Sequence, residues 1–139
     1  MIHADQKTNK GFTLIELMVV LFIIGILSAV AIPYMQGRTD SSKWSEGKAV
    51  AGSIRTAART YCSEMGRTFD YTGTTLAQLG FASGDLAGRF FSEDCFSITF
   101  NGYNDYLIDI DASLSTSTEA PTTPGEMTLD DEGVFTEIP

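Results

Sequence analysis

Apolar and polar positions change period twice along this chain. Residues Phe12–Ile32 read FTLIELMVVLFIIGILSAVAI, an apolar run of 21 positions broken only by Thr13, Glu16, Gly25 and Ser28. As a helix rising about 1.5 Å per residue, such a run spans a bilayer core. After Pro33, apolar residues recur at spacings of three and four: Trp44, Gly47, Ala51, Ile54, Ala58, Tyr61 and Met65, with Val50 and Ala57 beside the stripe. This pattern predicts an amphipathic helix over 34–65, stopped by Gly66. Pro33 removes one intrahelical donor, so a kink or break is expected there, with Gly25 weakening the same stretch. Small residues on the stripe (Gly47, Ala51, Ala58) allow close approach of either the protein's own sheet, the favoured partner, or a neighbouring helix.

Residues 66–94 form a connecting loop with room for one short helix at Thr75–Phe81 (TLAQLGF). From Cys95 the period becomes two. Phe96, Ile98 and Phe100 share one face, then Tyr106, Ile108 and Ile110, with Asp109 and Asp111 pointing the other way. Asn101-Gly102 is the turn signal between these strands. Ser113–Gly125 (SLSTSTEAPTTPG) is polar and proline-containing, an exposed loop or short linker whose composition gives only weak support for a sugar. Met127 and Leu129, then Val134 or Phe135, flank the acidic turn Asp130–Gly133 as a second hairpin. The expected fold is α+β. A long N-terminal helix, kinked near Pro33, packs on a small antiparallel sheet of about four strands. The expected divisions are a leader at 1–11, a hydrophobic membrane or filament-core helix at 12–33, and a globular head at 34–139, with its sheet in 95–139.

Glu16 is the anomaly. A carboxylate inside an apolar run costs several kcal/mol in lipid or a packed bundle unless it meets a partner, and a plain anchor would not carry one. The segment is also inverted relative to a secretory signal: the leader MIHADQKTNKG is polar, and the small residue Gly11 precedes the apolar run instead of following it. Cleavage after Gly11 would create an α-ammonium on Phe12 for a carboxylate to meet. Lys7 and Lys10 place the leader on the cytoplasmic side.

The run GFTLIELMVV followed by IIGILSAVAIP resembles the N-terminus of type IV pilins and of the pseudopilins of type II secretion. The likeness is close over about the first 40 residues and looser over the next 25. It implies the pilin fold and a bond Gly11–Phe12 cut by a prepilin peptidase. It further implies N-methylation of Phe12, and Glu16 as the carboxylate that meets a neighbouring subunit's N-terminus during assembly. The implied partners are other pilins in a homo- or hetero-oligomeric filament, the peptidase, and an inner-membrane assembly platform. The implied location is the inner membrane for the precursor, then an extracellular pilus or a periplasmic pseudopilus.

Composition narrows the chemistry. The net charge is −9, and it becomes −10 without residues 1–11, which carry Lys7, Lys10 and Asp5. Bulk charge therefore argues against nucleic-acid binding. The single histidine, His3, lies in the leader, which leaves no material for histidine-assisted hydrolysis or histidine-ligated zinc. The reading is a non-enzyme without cofactors. Cys62 and Cys95, the only cysteines, suggest one disulfide in an oxidising compartment, the alternative being two free buried thiols. Asp130, Asp131 and Glu132, with Asp109 and Asp111, offer oxygen ligands for calcium, but without EF-hand spacing a bare acidic turn is favoured. Phe96, Phe100, Tyr103 and Tyr106 read as core and rim, not as a stacking path.

Three functions compete: a major or minor type IV pilin serving adhesion, motility or DNA uptake; a type II secretion pseudopilin; and a membrane-tethered periplasmic enzyme or binding domain. The disulfide and the lack of a clear calcium loop favour the pilin. Glu16, Gly11 and the missing histidine count against the last.

Overall fold

Helix α1 spans Leu14–Met65, and Thr13 caps its start. The computed structural model describes residues 11–138, apart from the side chains of positions 33, 34, 36 and 37. The leader residues before Gly11, with His3, Lys7 and Lys10, lie outside the described residues. The chain divides into two compact units, residues 1–36 and 37–139.

In the first unit, the described residues from Gly11 to Ile32 are all exposed. The segment Leu14–Ile32 is long and apolar enough to cross a membrane, and none of it is buried within the molecule. Helical structure continues through Gly25 and Pro33, so of the kink or break expected there the structure shows no break. A proline deletes one donor only, and the bonds of the adjoining turns carry the helix past it.

The second unit is a four-stranded antiparallel meander and the part of α1 from Gly37 onward. The strands are β1 (Phe96–Gly102), β2 (Asp105–Asp111), β3 (Glu126–Asp130) and β4 (Phe135–Ile138), hydrogen-bonded in the order β1-β2-β3-β4. Ile108 and Ile110 are fully buried and sit opposite Leu129 and Met127, so one face of the sheet forms the core with α1. The helix contributes Trp44, Gly47, Ala51, Ile54, Ala58 and Cys62. Met65, expected on that stripe, is instead 42% exposed, and Cys62 takes the last buried place.

Gly66 ends α1 with φ +77°, and its N–H donates to the Cys62 carbonyl at 3.0 Å. Only glycine adopts that left-handed cap freely. The buried Tyr71 reinforces the cap, its hydroxyl donating to the carbonyl of Gly66 at 2.7 Å and of Cys62 at 3.3 Å. The short helix expected at Thr75–Phe81 is a run of turns.

The first hairpin also differs from expectation. β1 continues through Gly102, and the turn is Tyr103–Asn104, with Asn104 at φ 54°. The register shifts between Phe100 and Gly102, a bulge that moves the turn two residues on. Asparagine is the side chain that best tolerates that backbone after glycine.

Two loops are pinned to α1 by polar anchors. Asp40 Oδ2 accepts from the Thr122 N–H at 3.1 Å, the Thr122 hydroxyl at 3.0 Å and the Thr123 N–H at 3.2 Å. Trp44 Nε1 donates to the Pro124 carbonyl at 3.1 Å. Glu46 Oε1 accepts from the N–H groups of Phe90 at 2.8 Å and Phe91 at 3.2 Å, holding the end of the 66–92 connection. These carboxylates replace the water their backbone partners lose on burial.

Candidate functional site

Gly11, Phe12 and Thr13 precede the helix outside any regular element and are exposed, with Phe12 85% exposed. A peptide bond in this setting is open to a protease, because its backbone belongs to no secondary structure.

The start of α1 is organised by Thr13 and Glu16. The Thr13 N–H and hydroxyl both donate to Glu16 Oε2, at 2.8 and 2.7 Å. The Glu16 N–H donates back to Thr13 Oγ1 at 3.3 Å. This reciprocal arrangement is a capping box, which satisfies two amide groups that a helix start leaves without acceptors. The pattern Thr-x-x-Glu before an apolar run was readable in the sequence, although the carboxylate alone drew notice there. Glu16 therefore has a local partner in its own chain. Its Oε2 is occupied, while Oε1 takes no bond among the described residues.

Among the described residues, the apolar positions around it from Leu14 to Ile32 are exposed. Exposing such an area to water is unfavourable at roughly 25 cal/mol per Å², a cost that lipid or other apolar helices would remove.

Other sequence candidates take structural places. Cys62 and Cys95 are both buried in the same core cluster and are recorded as free thiols. Cys95 Sγ lies 3.6 Å from Ser92 Oγ. Asp130 is committed to its own turn, its Oδ1 accepting from the N–H groups of Gly133 and Val134, each at 2.8 Å. Gly133, at φ +95°, lets the chain reverse there. Asp131 offers its backbone carbonyl to Arg55, with Nη2 at 2.8 Å. Asp111 Oδ1 holds the Ser113 N–H and hydroxyl at 2.9 and 2.6 Å. Among the described residues, no three His, Cys, Asp or Glu side chains converge as a metal site. Phe96, Phe100 and Tyr106 are core residues, and Tyr103 lies under the Arg67 guanidinium at 5.2 Å.

Asp40 was missed by sequence reasoning. Burial alone would raise its carboxyl pKa, but bonds from Thr122 and Lys43 outweigh that and hold it below the ordinary value. Burial likewise raises the Tyr71 hydroxyl. The signal for Asp40 was its place on the helix stripe, one turn before Trp44.

Residues 6–32 match the family model of the prokaryotic N-terminal methylation motif. The type IV major pilin protein PilA of Myxococcus xanthus is 45% identical over 74 residues, 53% of this chain and 32% of that protein. A type IV major fimbrial protein FimA of Dichelobacter nodosus is 47% identical over 81 residues, 57% of this chain and 50% of its own length. The type IV major pilin protein PilE1 of Neisseria gonorrhoeae is 37% identical over 85 residues, 61% of this chain and 50% of its own. The chain thus spans about a third to a half of the length of these curated relatives. No solved structure matches it. Over its N-terminal motif and the residues that follow, the chain is similar to type IV pilins and fimbrial proteins.

Proposed function

We propose that this chain is a structural subunit of a type IV pilus. Prepilin peptidase cuts Gly11–Phe12, Phe12 is N-methylated, and an inner-membrane platform packs the subunits into a filament for adhesion, motility or DNA uptake. One observation carries the reading: among the described residues, a carboxylate with one unengaged oxygen stands at the start of an exposed apolar helix. In lipid that helix is stable as an anchor. In a filament the same surface packs against other copies, so transfer from membrane to fibre keeps it out of water throughout.

The ammonium exposed on Phe12 supplies the counter-charge for the Glu16 carboxylate. In low dielectric the two attract strongly, and removing one strands the other at roughly 3–5 kcal/mol. Subunits then stack favourably only at the offset that brings amine and carboxylate together. Pilin names on the relatives and an exposed Gly11–Phe12 bond support the same sequence of events. A Cys62–Cys95 disulfide formed on export belongs to this reading, tethering the start of β1 to the end of α1.

Mass spectrometry of the mature protein tests the proposal, and it should begin at a methylated Phe12. Residues 1–11 still attached would overturn it. Glu16→Ala should leave cleavage intact and abolish sheared fibres; a normal fibre yield would discard the pairing.

A further inference from the structure

Acidic side chains dominate the C-terminal part of the chain. From Phe90 to Pro139 the sequence holds eleven Asp and Glu and no Lys or Arg. Alternation in the strands puts part of that charge on the sheet face turned away from α1. There Asp109 and Asp111 alternate with the buried Ile108 and Ile110, and Glu126 precedes the buried Met127. Asp111 and Glu126 are direct cross-strand neighbours. Like charges placed so repel each other, and no cation of the described chain lies within ion-pair distance of either.

Positive charge is arranged on the helix. Lys48, Arg55 and Arg59 follow one another at intervals of seven and four residues, which puts them on one side of α1. None has a carboxylate partner: among the described residues the ion pairs are Lys43–Asp40 and Arg89–Glu119. Arg55 donates to a backbone carbonyl, and Lys48 Nζ sits 5.5 Å from the Phe135 ring centroid. Lys48 and Arg55 are half-buried in these contacts, and Arg59 is exposed.

We propose that the heads of successive copies dock on each other through these two surfaces, the Lys48–Arg55–Arg59 stripe of one copy meeting the Asp111–Glu126 face of the next. This docking rests on the filament reading and specifies which surfaces of the head meet. Two different, complementary patches on one chain make a heterologous contact, and repetition of such a contact builds an open helix instead of a closed dimer. Opposite charge selects that pairing, and the repulsion between two acidic sheet faces excludes the symmetric one.

Charge reversal in cells that assemble the full chain tests this, with sheared-fibre yield and total subunit both measured. Arg59→Glu and Glu126→Arg should each lower fibre yield by at least about tenfold at unchanged subunit level, and the double variant should restore it. Wild-type yield from either single variant, or a double variant no better than the singles, would overturn the docking. The salt response of wild-type fibres is a second readout that needs no variant. They should shorten as ionic strength rises, and indifference to salt would also overturn it. If wild-type cells make no fibres of this chain, the filament reading itself falls, and the docking with it.

Discussion

Thr13 and Glu16 hold each other at the head of α1, the Thr13 hydroxyl 2.7 Å from Glu16 Oε2 and the Glu16 N–H 3.3 Å from Thr13 Oγ1. The carboxylate therefore does two things that substitution can separate. It accepts hydrogen bonds that start the helix, and it carries a charge available to a neighbouring amine. Glu16→Gln keeps an acceptor and removes the charge. Its expected outcome is a normal helix start, normal cleavage and no fibres. Thr13→Val keeps the charge and removes the hydroxyl cap, at a cost of about 1 kcal/mol to the first turn. Amide exchange in bilayers should then rise at Leu14–Leu17 in Thr13→Val and stay unchanged in Glu16→Gln. Fibres at wild-type yield from Glu16→Gln would show that charge is not what assembly needs.

Asp40 makes the stability of the head depend on pH. Its folded pKa is held below the ordinary 3.8, so the ionised form is the one that folding favours. Its contribution is complete above the ordinary value and fades as pH falls through the lower, folded value. The melting temperature should accordingly drop on acidification below about pH 4, with Asp40→Asn both less stable at neutral pH and flatter across that range. Equal acid sensitivity in the two proteins would remove Asp40 from the account.

Gly47 is a glycine for reasons of space. A Cβ there would lie 2.9 Å from Phe91 Cζ, and that ring is packed against Trp44 at 5.0 Å and Phe96 at 6.0 Å between centroids. Gly47→Val should cost about 1–3 kcal/mol through overpacking, despite removing a flexible residue from a helix. Thermal melting of the full chain measures this; an unchanged midpoint would mean that the Phe91 ring yields freely.

Cys62 and Cys95 give a redox expectation. The exported protein, unfolded without reductant, should resist thiol alkylation. Reduction should then lower stability by roughly 3–4 kcal/mol, as expected for a loop of this length. Two alkylated thiols in the non-reduced protein would leave them as buried packing residues.

Most of the secondary structure could be read along the chain, because its causes are local. The helix stripe at Trp44, Ala51, Ile54 and Ala58, the stop at Gly66, and the alternation of Tyr106, Ile108 and Ile110 all lie where periodicity puts them. The first turn was misplaced because Asn101-Gly102 and Asn104 offer competing backbone chemistry, and only the bulge in the ladder selects the second. Thr75–Phe81 reads as a helix in isolation but is too short to hold one, and it settles into turns. At the candidate site, Gly11, Phe12 and Glu16 stood out in the sequence. The box with Thr13 was spelled there too, but a carboxylate in an apolar run diverts attention from its neighbour.

The order of residues by itself determined the apolar segment, its misplaced-looking carboxylate, the helix that follows and the alternating strands, since each depends on neighbours within a few positions. Tertiary structure alone decided that Asp40 would be buried by Thr122, 82 residues further on, and that Glu46 would hold Phe90 and Phe91. It also decided that Tyr71 would fold back on the end of α1, and that Arg55 would reach the Asp131 carbonyl across the fold. Pattern fixes which face of an element turns inward. Which polar group finds its partner across the fold depends on chain closure, and closure leaves no periodic trace.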